Sequence, residues 1–140
     1  MQYHRIYARI DIDAILHNLG ECKRRIPEGT KVLAVIKADG YGHGAVELAH
    51  QLESEVDYFG VAVIELRRAG IKKPILILGY TSPSQDDLLI NYDITQNIYT
   101  YDMAKRLSDR AVALGKTVRF HIGLDTGMSR VGFQDNDESG

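Results

Sequence analysis

The sequence predicts an α/β fold in which a parallel sheet is built from repeated strand–helix units. Five strand-like segments recur along the chain, and the clearest of them are nearly continuous apolar runs, which are typical of strands buried on both faces of a parallel sheet. The segments between them carry apolar residues at the spacing of a helix. This alternation fits either a doubly wound open sheet or a TIM barrel, and the pattern alone does not choose between them.

The first elements precede the buried strands. Residues 5–11 alternate polar and apolar side chains, which predicts a strand. Asp13 is the predicted N-cap of the first helix, and Pro27 and Gly29 end it. The apolar side of this helix is predicted to contain Ile15, Leu16, Leu19, Cys22 and Ile26.

The remaining elements follow as strand–helix pairs. The buried strands are predicted at residues 31–37, 58–64, 74–79, 94–99 and 117–124. Helices are predicted over residues 43–55 and 65–69. A third helix has Ser82 as its cap, with Pro83 first and Gln85 completing a capping box. The last has Asp102 as its cap and ends at Gly115.

Composition limits the possible classes of protein. The chain has 140 residues, 44% hydrophobic and 26% charged, which predicts one soluble globular domain. A formal charge of −2 argues against a nucleic acid or an anionic membrane as partner. Apolar runs fall well short of the ~20 residues that span a bilayer.

The only cysteine in the sequence is Cys22, so no internal disulfide can form. Together with the lack of a visible signal peptide, this predicts a reducing, cytoplasmic location. We interpret Cys22 as a small core residue rather than a nucleophile. His121 is likewise interpreted as a core histidine within the last strand, and no cluster of side chains has metal-ligand spacing.

The most informative segment is AVIKADGYGHG, residues 34–44. An apolar strand ends at Lys37, and a turn containing three glycines follows, with Tyr41 and His43 between them. A lysine at the end of a buried strand is unusual because burying an unpaired ammonium is costly. Such an amine can serve as a nucleophile toward a carbonyl cofactor, but a lysine that reaches solvent before an ordinary loop is an equally simple explanation.

A second segment extends the pattern. Residues 121–132 read HIGLDTGMSRVG. The first segment closely resembles the pyridoxal phosphate (PLP) attachment segment of alanine racemases, and the second resembles that family's D-T-G-M-x-R-x-G segment. The resemblance runs from Arg5 to about Phe133. It implies a partial TIM (β/α)8 barrel of about five parallel strands, with Lys37 at the carboxyl end of its first strand.

The resemblance also implies a longer protein. A TIM barrel needs eight strand–helix units and about 250 residues, and the family carries a further β-rich domain. We therefore expect residues 1–140 to be the N-terminal part of a PLP-binding racemase barrel, with the C-terminal barrel strands and the β domain absent from this chain.

The resemblance assigns roles to particular residues. Lys37 would hold PLP covalently and would also exchange a proton on one face of the substrate α-carbon. Tyr41 would hydrogen-bond the cofactor phosphate. Arg130 would contact the cofactor's phenolic oxygen and the substrate carboxylate, and the backbone near Met128 would line the substrate site. Asp125 is interpreted as structural, and His43 as the start of a helix.

Gly123 departs from the family pattern. Many relatives have a lysine there, often carbamylated, that holds the arginine in place, and some have asparagine with a chloride ion. Gly123 is expected to leave room for an anion or water. The second catalytic base, a tyrosine from the partner subunit, and the arginine at the pyridine nitrogen are expected outside this chain.

The function that the resemblance implies is interconversion of L- and D-alanine for cell-wall precursors by a homodimeric enzyme. Residues 1–140 alone are expected to be inactive. The alternatives are a racemase for serine or another small amino acid, and a PLP-binding barrel protein without catalytic activity.

Overall fold

The sheet has the strand order of a barrel. A computed structural model describes residues 7–61 and 64–134. It contains a five-stranded, wholly parallel sheet in the order β1-β2-β3-β4-β5. A doubly wound sheet reverses its strand order at a switch point, and this sheet does not. The prediction of a partial TIM barrel is therefore confirmed, and the topology settles the choice that the sequence pattern left open.

The elements follow the predicted alternation, with shorter strands. The strands are β1 Leu33–Val35, β2 Tyr58–Val61, β3 Ile75–Ile77, β4 Thr95–Ile98 and β5 Phe120–Ile122. The helices are α1 Ile12–Arg24, α2 Lys37–Tyr41, α3 Ala45–Leu52, α4 Glu65–Arg68, α5 Asp86–Asn91 and α6 Tyr101–Ala113, with a 3₁₀ turn at Pro83–Gln85.

The core lies between the helices and one face of the sheet. Register pairs Phe59 with Ile75 and Val61 with Ile77, so these side chains share the helix-facing side, where all four are buried. The helices contribute apolar side chains to the same cluster, among them Leu48, Ala49, Leu66, Leu89 and Leu107. The helix-facing core holds the strands in place, so that their carboxyl ends form one rim.

The other face of the sheet is the inner face of the barrel. An added Cβ at Gly60 would lie 2.9 Å from Leu33, 3.3 Å from Val35 and 3.5 Å from Leu78. Side chains of β1 and of the segment after β3 therefore converge over Gly60. Alternation along the strands places Thr95, Asn97 and His121 on the same face, since Asn97 pairs with His121.

Several predictions about element ends are wrong. Residues 7–10 form no strand, and residues 5 and 6 lie outside the described part. Asp11, not Asp13, caps α1 and accepts a hydrogen bond from the Ala14 amide at 3.0 Å. Thr100, not Asp102, caps α6 through the Met103 amide at 3.2 Å. In each case the cap is the side chain that reaches the third helical amide.

The predicted capping box at residues 82–85 and two predictions of burial are also wrong. Ser82 precedes a 3₁₀ turn and makes no side-chain capping bond. Cys22 is exposed because α1 buries none of its residues fully. His121 is exposed because β5 is an edge strand of the described sheet, and all three residues of β5 are exposed. Across the described residues, no helix is long and apolar enough to cross a membrane.

Candidate active site at the carboxyl rim

Lys37 stands where β1 meets the rim. The Ile36 amide still donates to the Gly60 carbonyl at 2.9 Å, which continues the sheet pairing by one residue. Ile36 is buried and Lys37 is exposed. No residue of β1 itself is fully buried, so the prediction that Lys37 follows a buried strand is wrong, and its ammonium carries no large cost of burial.

The backbone after Lys37 turns the wrong way for an ordinary helix. Ala38, Asp39, Gly40 and Tyr41 have φ of 50°, 52°, 63° and 56°, so α2 is a left-handed turn over these four residues. Left-handed backbone costs roughly 1–2 kcal/mol for each residue with a side chain. Such strain persists only where the surrounding structure fixes it, and it is concentrated at functional sites.

Hydrogen bonds from both sides fix this turn. The Gly40 amide donates to the Ile36 carbonyl and the Gly44 amide to the Asp39 carbonyl, each at 2.9 Å. Asp39 also accepts the Ala45 amide at 2.8 Å through its carboxylate, so one side chain joins the turn to the start of α3. His43 does not begin α3, and its Nδ1 lies 3.0 Å from the Gly40 carbonyl.

Asp39 is a residue that sequence analysis missed. It lies six positions before the amide it binds, beyond the spacing of an ordinary N-cap, and the left-handed turn is what brings it there. An aspartate just before a glycine-rich turn was the available signal.

Tyr41 is the last residue of α2 and is 60% exposed. The fixed turn therefore holds a phenol at the rim, four residues after Lys37. A phenol hydroxyl can donate a hydrogen bond to an anionic oxygen.

The second part of the rim is the loop over residues 124–133, which we call the Arg130 loop. A parallel bridge between Leu124 and Phe133 closes its base, with the Asp125 amide donating to the Phe133 carbonyl at 2.8 Å. Arg130 and Met128 are both exposed in this loop. The Asp125 carboxylate accepts the amides of Ser129 at 2.9 Å and Gly127 at 3.0 Å, which shapes the segment that leads to Arg130.

The rim brings these residues to one side of the sheet but not into one cluster. Lys37 and Tyr41 share the turn after β1, and Arg130 and Met128 share the loop after β5. The sheet order separates β1 from β5 by four strand intervals.

The space at Gly123 is already filled. A Cβ added there would lie 2.8 Å from both Nδ2 and Oδ1 of Asn97. The expectation that Gly123 leaves room for an anion or water is wrong, because a side chain of the neighbouring strand β4 occupies the position. Asn97 was not a candidate from the sequence, because only the register of the two strands brings its side chain close to Gly123.

Asp125 gives a prediction about pH. Hydrogen bonds from the Ser129 and Gly127 amides lower the pKa of the Asp125 carboxyl below its ordinary value. Because the pKa is lowered in the folded state, these bonds stabilise the loop at pH values above the ordinary aspartate pKa. They are lost as the pH falls through the lowered pKa. In Asp125→Asn this acid-dependent change is expected to disappear.

The measurement is the pH dependence of the Gly127 and Ser129 amide proton shifts. We expect both to titrate together with a midpoint below that of an ordinary aspartate, and to be flat over the same range in Asp125→Asn. A midpoint at or above the ordinary value would contradict the bonding that shapes this loop.

A consecutive run of parallel strand–helix units, with the candidate site residues at the carboxyl rim, defines the class: part of a β/α barrel. Comparison with known proteins gives the family. Residues 10–139 match the family described as "Alanine racemase, N-terminal domain". The chain belongs to this family.

Individual relatives agree. The chain is 47% identical to alanine racemase 1 of Caldanaerobacter subterraneus subsp. tengcongensis, over 90% of this chain and 34% of that protein. It superposes on alanine racemase of Clostridium difficile 630 with a TM-score of 0.87 and 45% identity, over 91% of this chain and 35% of that one. A histidine racemase of Leuconostoc mesenteroides is similar at a TM-score of 0.78 and 30% identity, over 87% and 34%. The chain thus spans about a third of the length of the proteins it matches.

Proposed function

We propose that this chain is the N-terminal barrel portion of a PLP-dependent amino-acid racemase that interconverts L- and D-alanine. The observation that carries the proposal is an exposed lysine, Lys37, at the carboxyl end of the first barrel strand, followed by a left-handed turn held by defined hydrogen bonds. The family match supports the reaction type.

The residues at the rim fit PLP. An aldehyde cofactor needs a primary amine that it can reach, and Lys37 is exposed. Its phosphate needs a hydrogen-bond donor nearby, and Tyr41 presents an exposed phenol from the same turn. Lys37 and Tyr41 would therefore hold the cofactor, with Arg130 toward its phenolic oxygen. When bound, PLP supplies an electron sink for the negative charge that develops at the substrate α-carbon.

The residues of this chain would bind the substrate and move one proton. The planar guanidinium of Arg130 suits a carboxylate, since it offers two parallel N–H donors. Met128 stands beside it in the same loop, where its backbone would line the substrate site. The Lys37 Nζ would remove the α-proton from one face of one enantiomer and, in the opposite direction of reaction, would deliver a proton to that same face.

Inversion needs a second base on the opposite face. We propose that the partner subunit of a homodimer supplies it, as the resemblance implies. Residues 1–140 alone would then lack turnover, since loss of one positioned base costs about 10²- to 10⁴-fold. The strands β1 and β5 at the edges of the described sheet would instead favour association with further chain.

Alanine is the substrate we propose because the proteins compared at 45–47% identity are named alanine racemases. The similarity to a histidine racemase at 30% identity indicates that this architecture accommodates other amino acids. A cytoplasmic enzyme that supplies D-alanine for cell-wall precursors is the setting we propose, and the single cysteine is compatible with a reducing compartment.

The test is a racemisation assay of the full-length protein with added PLP, using L-alanine, L-serine and L-histidine in parallel. We expect D-alanine to form with the highest kcat/KM of the three. Preference for serine or histidine would reassign the substrate. Stoichiometric PLP binding without turnover of any of them would favour the non-catalytic alternative.

A further inference from the structure

Asn97 and Gly123 form a complementary pair across two neighbouring strands. The Asn97 side chain lies on the inner face of β4, where its amide stands 2.8 Å from the position of a Cβ on Gly123. Its Nδ2 donates to the Leu78 carbonyl at 3.2 Å on the other side. One short amide thus connects the carboxyl ends of three strands, β3, β4 and β5.

Gly123 is the point from which the Arg130 loop begins and to which it returns. Its amide donates to the Ile98 carbonyl at 2.8 Å, and its carbonyl accepts the Phe133 amide at 2.7 Å. Gly123 is therefore fixed to β4 on one side and to the end of the loop on the other. A displacement of Gly123 would move both ends of the loop together.

A side chain at position 123 would collide with the Asn97 amide unless one of the two residues moved. Heavy atoms essentially never approach a real Cβ as closely as 2.8 Å. Either the Asn97 amide rotates and loses its bond to Leu78, or Gly123 shifts and moves the base of the loop. A shift of Gly123 would move the base of the loop that carries Arg130.

We infer that Asn97 is a positioning residue for the racemase reaction: it occupies the side-chain volume above Gly123 and thereby sets the base of the Arg130 loop. The inference rests on the proposed function for its kinetic consequence. Its structural part, the coupling of Asn97 with Gly123 and the loop, does not depend on which substrate is used.

The test uses Gly123→Ala, Asn97→Ala and the double variant of the full-length protein. Gly123→Ala is expected to raise the KM for alanine roughly 3- to 30-fold with a smaller change in kcat, as for other coupled neighbours. It should also speed amide exchange at Gly127 and Ser129 in the cofactor-free protein. In the double variant, removal of the Asn97 side chain frees space for the new methyl group. This should restore much of the original KM and of the slow amide exchange.

Thr95→Ala provides the matched control. Thr95 lies on the same face of β4, two residues before Asn97, and its removal frees no space at Gly123. Combined with Gly123→Ala, it should give the simple product of the two single effects.

Three results would overturn the inference. The effects of Asn97→Ala and Gly123→Ala could multiply as independent changes. Gly123→Ala could leave both KM and loop exchange unchanged. Loop exchange could quicken, or the Tm fall, with no change in KM, which would indicate a purely structural role. If the protein racemises no amino acid, the proposed function fails, and the exchange measurements still decide the coupling.

Discussion

Replacing Lys37 with alanine is expected to abolish measurable racemisation by the full-length protein. Lys37 is the exposed amine at the carboxyl end of β1, and we assign it both cofactor attachment and proton transfer. Loss of a positioned general base alone costs about 10²- to 10⁴-fold in rate, and loss of the attachment point adds to this. Racemisation rate and PLP content of the purified variant are the measurements.

Two variants separate this effect from unfolding and from loss of charge. Lys31→Ala removes an amine before the other end of β1, where Nζ lies 5.9 Å from the centre of the Tyr58 ring, and should keep near-normal activity. Lys37→Arg keeps a positive charge but not a nucleophilic amine, and should be as inactive as Lys37→Ala. An active Lys37→Arg variant would show that charge, not the amine, is what the site requires.

The second large effect is expected at Gly132. An added Cβ would lie 2.4 Å from the Asp125 nitrogen and 2.6 Å from the Leu124 carbonyl carbon, at a φ of +138° that side chains rarely adopt. These neighbours are backbone atoms at the base of the Arg130 loop, so no rotamer change relieves the contact. Gly132→Ala is expected to open the Leu124–Phe133 bridge and to cost about 2–5 kcal/mol of stability.

Its consequence for activity follows from the position of Arg130. Misplacement of a substrate-binding group by about 1 Å can cost ~10²-fold, and we expect kcat/KM for alanine to fall at least that far. Gly127→Ala is the matched control: it lies in the same loop at a φ of +123° but meets nothing within 4 Å. Equal losses in the two variants would mean that the positive φ matters and the backbone contact does not.

Local patterns predicted the strands because each strand segment can be recognised without reference to its neighbours. The choice between a doubly wound sheet and a barrel depends on the order of the strands in the sheet, which no single segment of the sequence determines. Helix starts were misplaced by two residues at Asp11 and Thr100, because a capping side chain at either candidate position looks alike in the sequence. The predictions that Cys22 and His121 are buried were wrong because burial depends on which other elements pack over these side chains.

The candidate site, too, could be predicted from the sequence only in part. Lys37, Tyr41 and Arg130 could be assigned roles because the two segments that contain them resemble motifs of a known family. The left-handed turn could not be predicted, since the side chains of Ala38 and Asp39 disfavour that backbone and it is held by hydrogen bonds that form only once residues 36–45 have folded together. Asn97 could not be identified from the sequence either, because only the register of β4 against β5 places it over Gly123.

The central claim is that Lys37 is the lysine that binds the cofactor. The most direct measurement is to load the full-length protein with PLP, reduce it with borohydride and map the labelled peptide by mass spectrometry. We expect one label, on Lys37. A label on Lys31 or Lys116 instead, or one spread over many lysines, would contradict it.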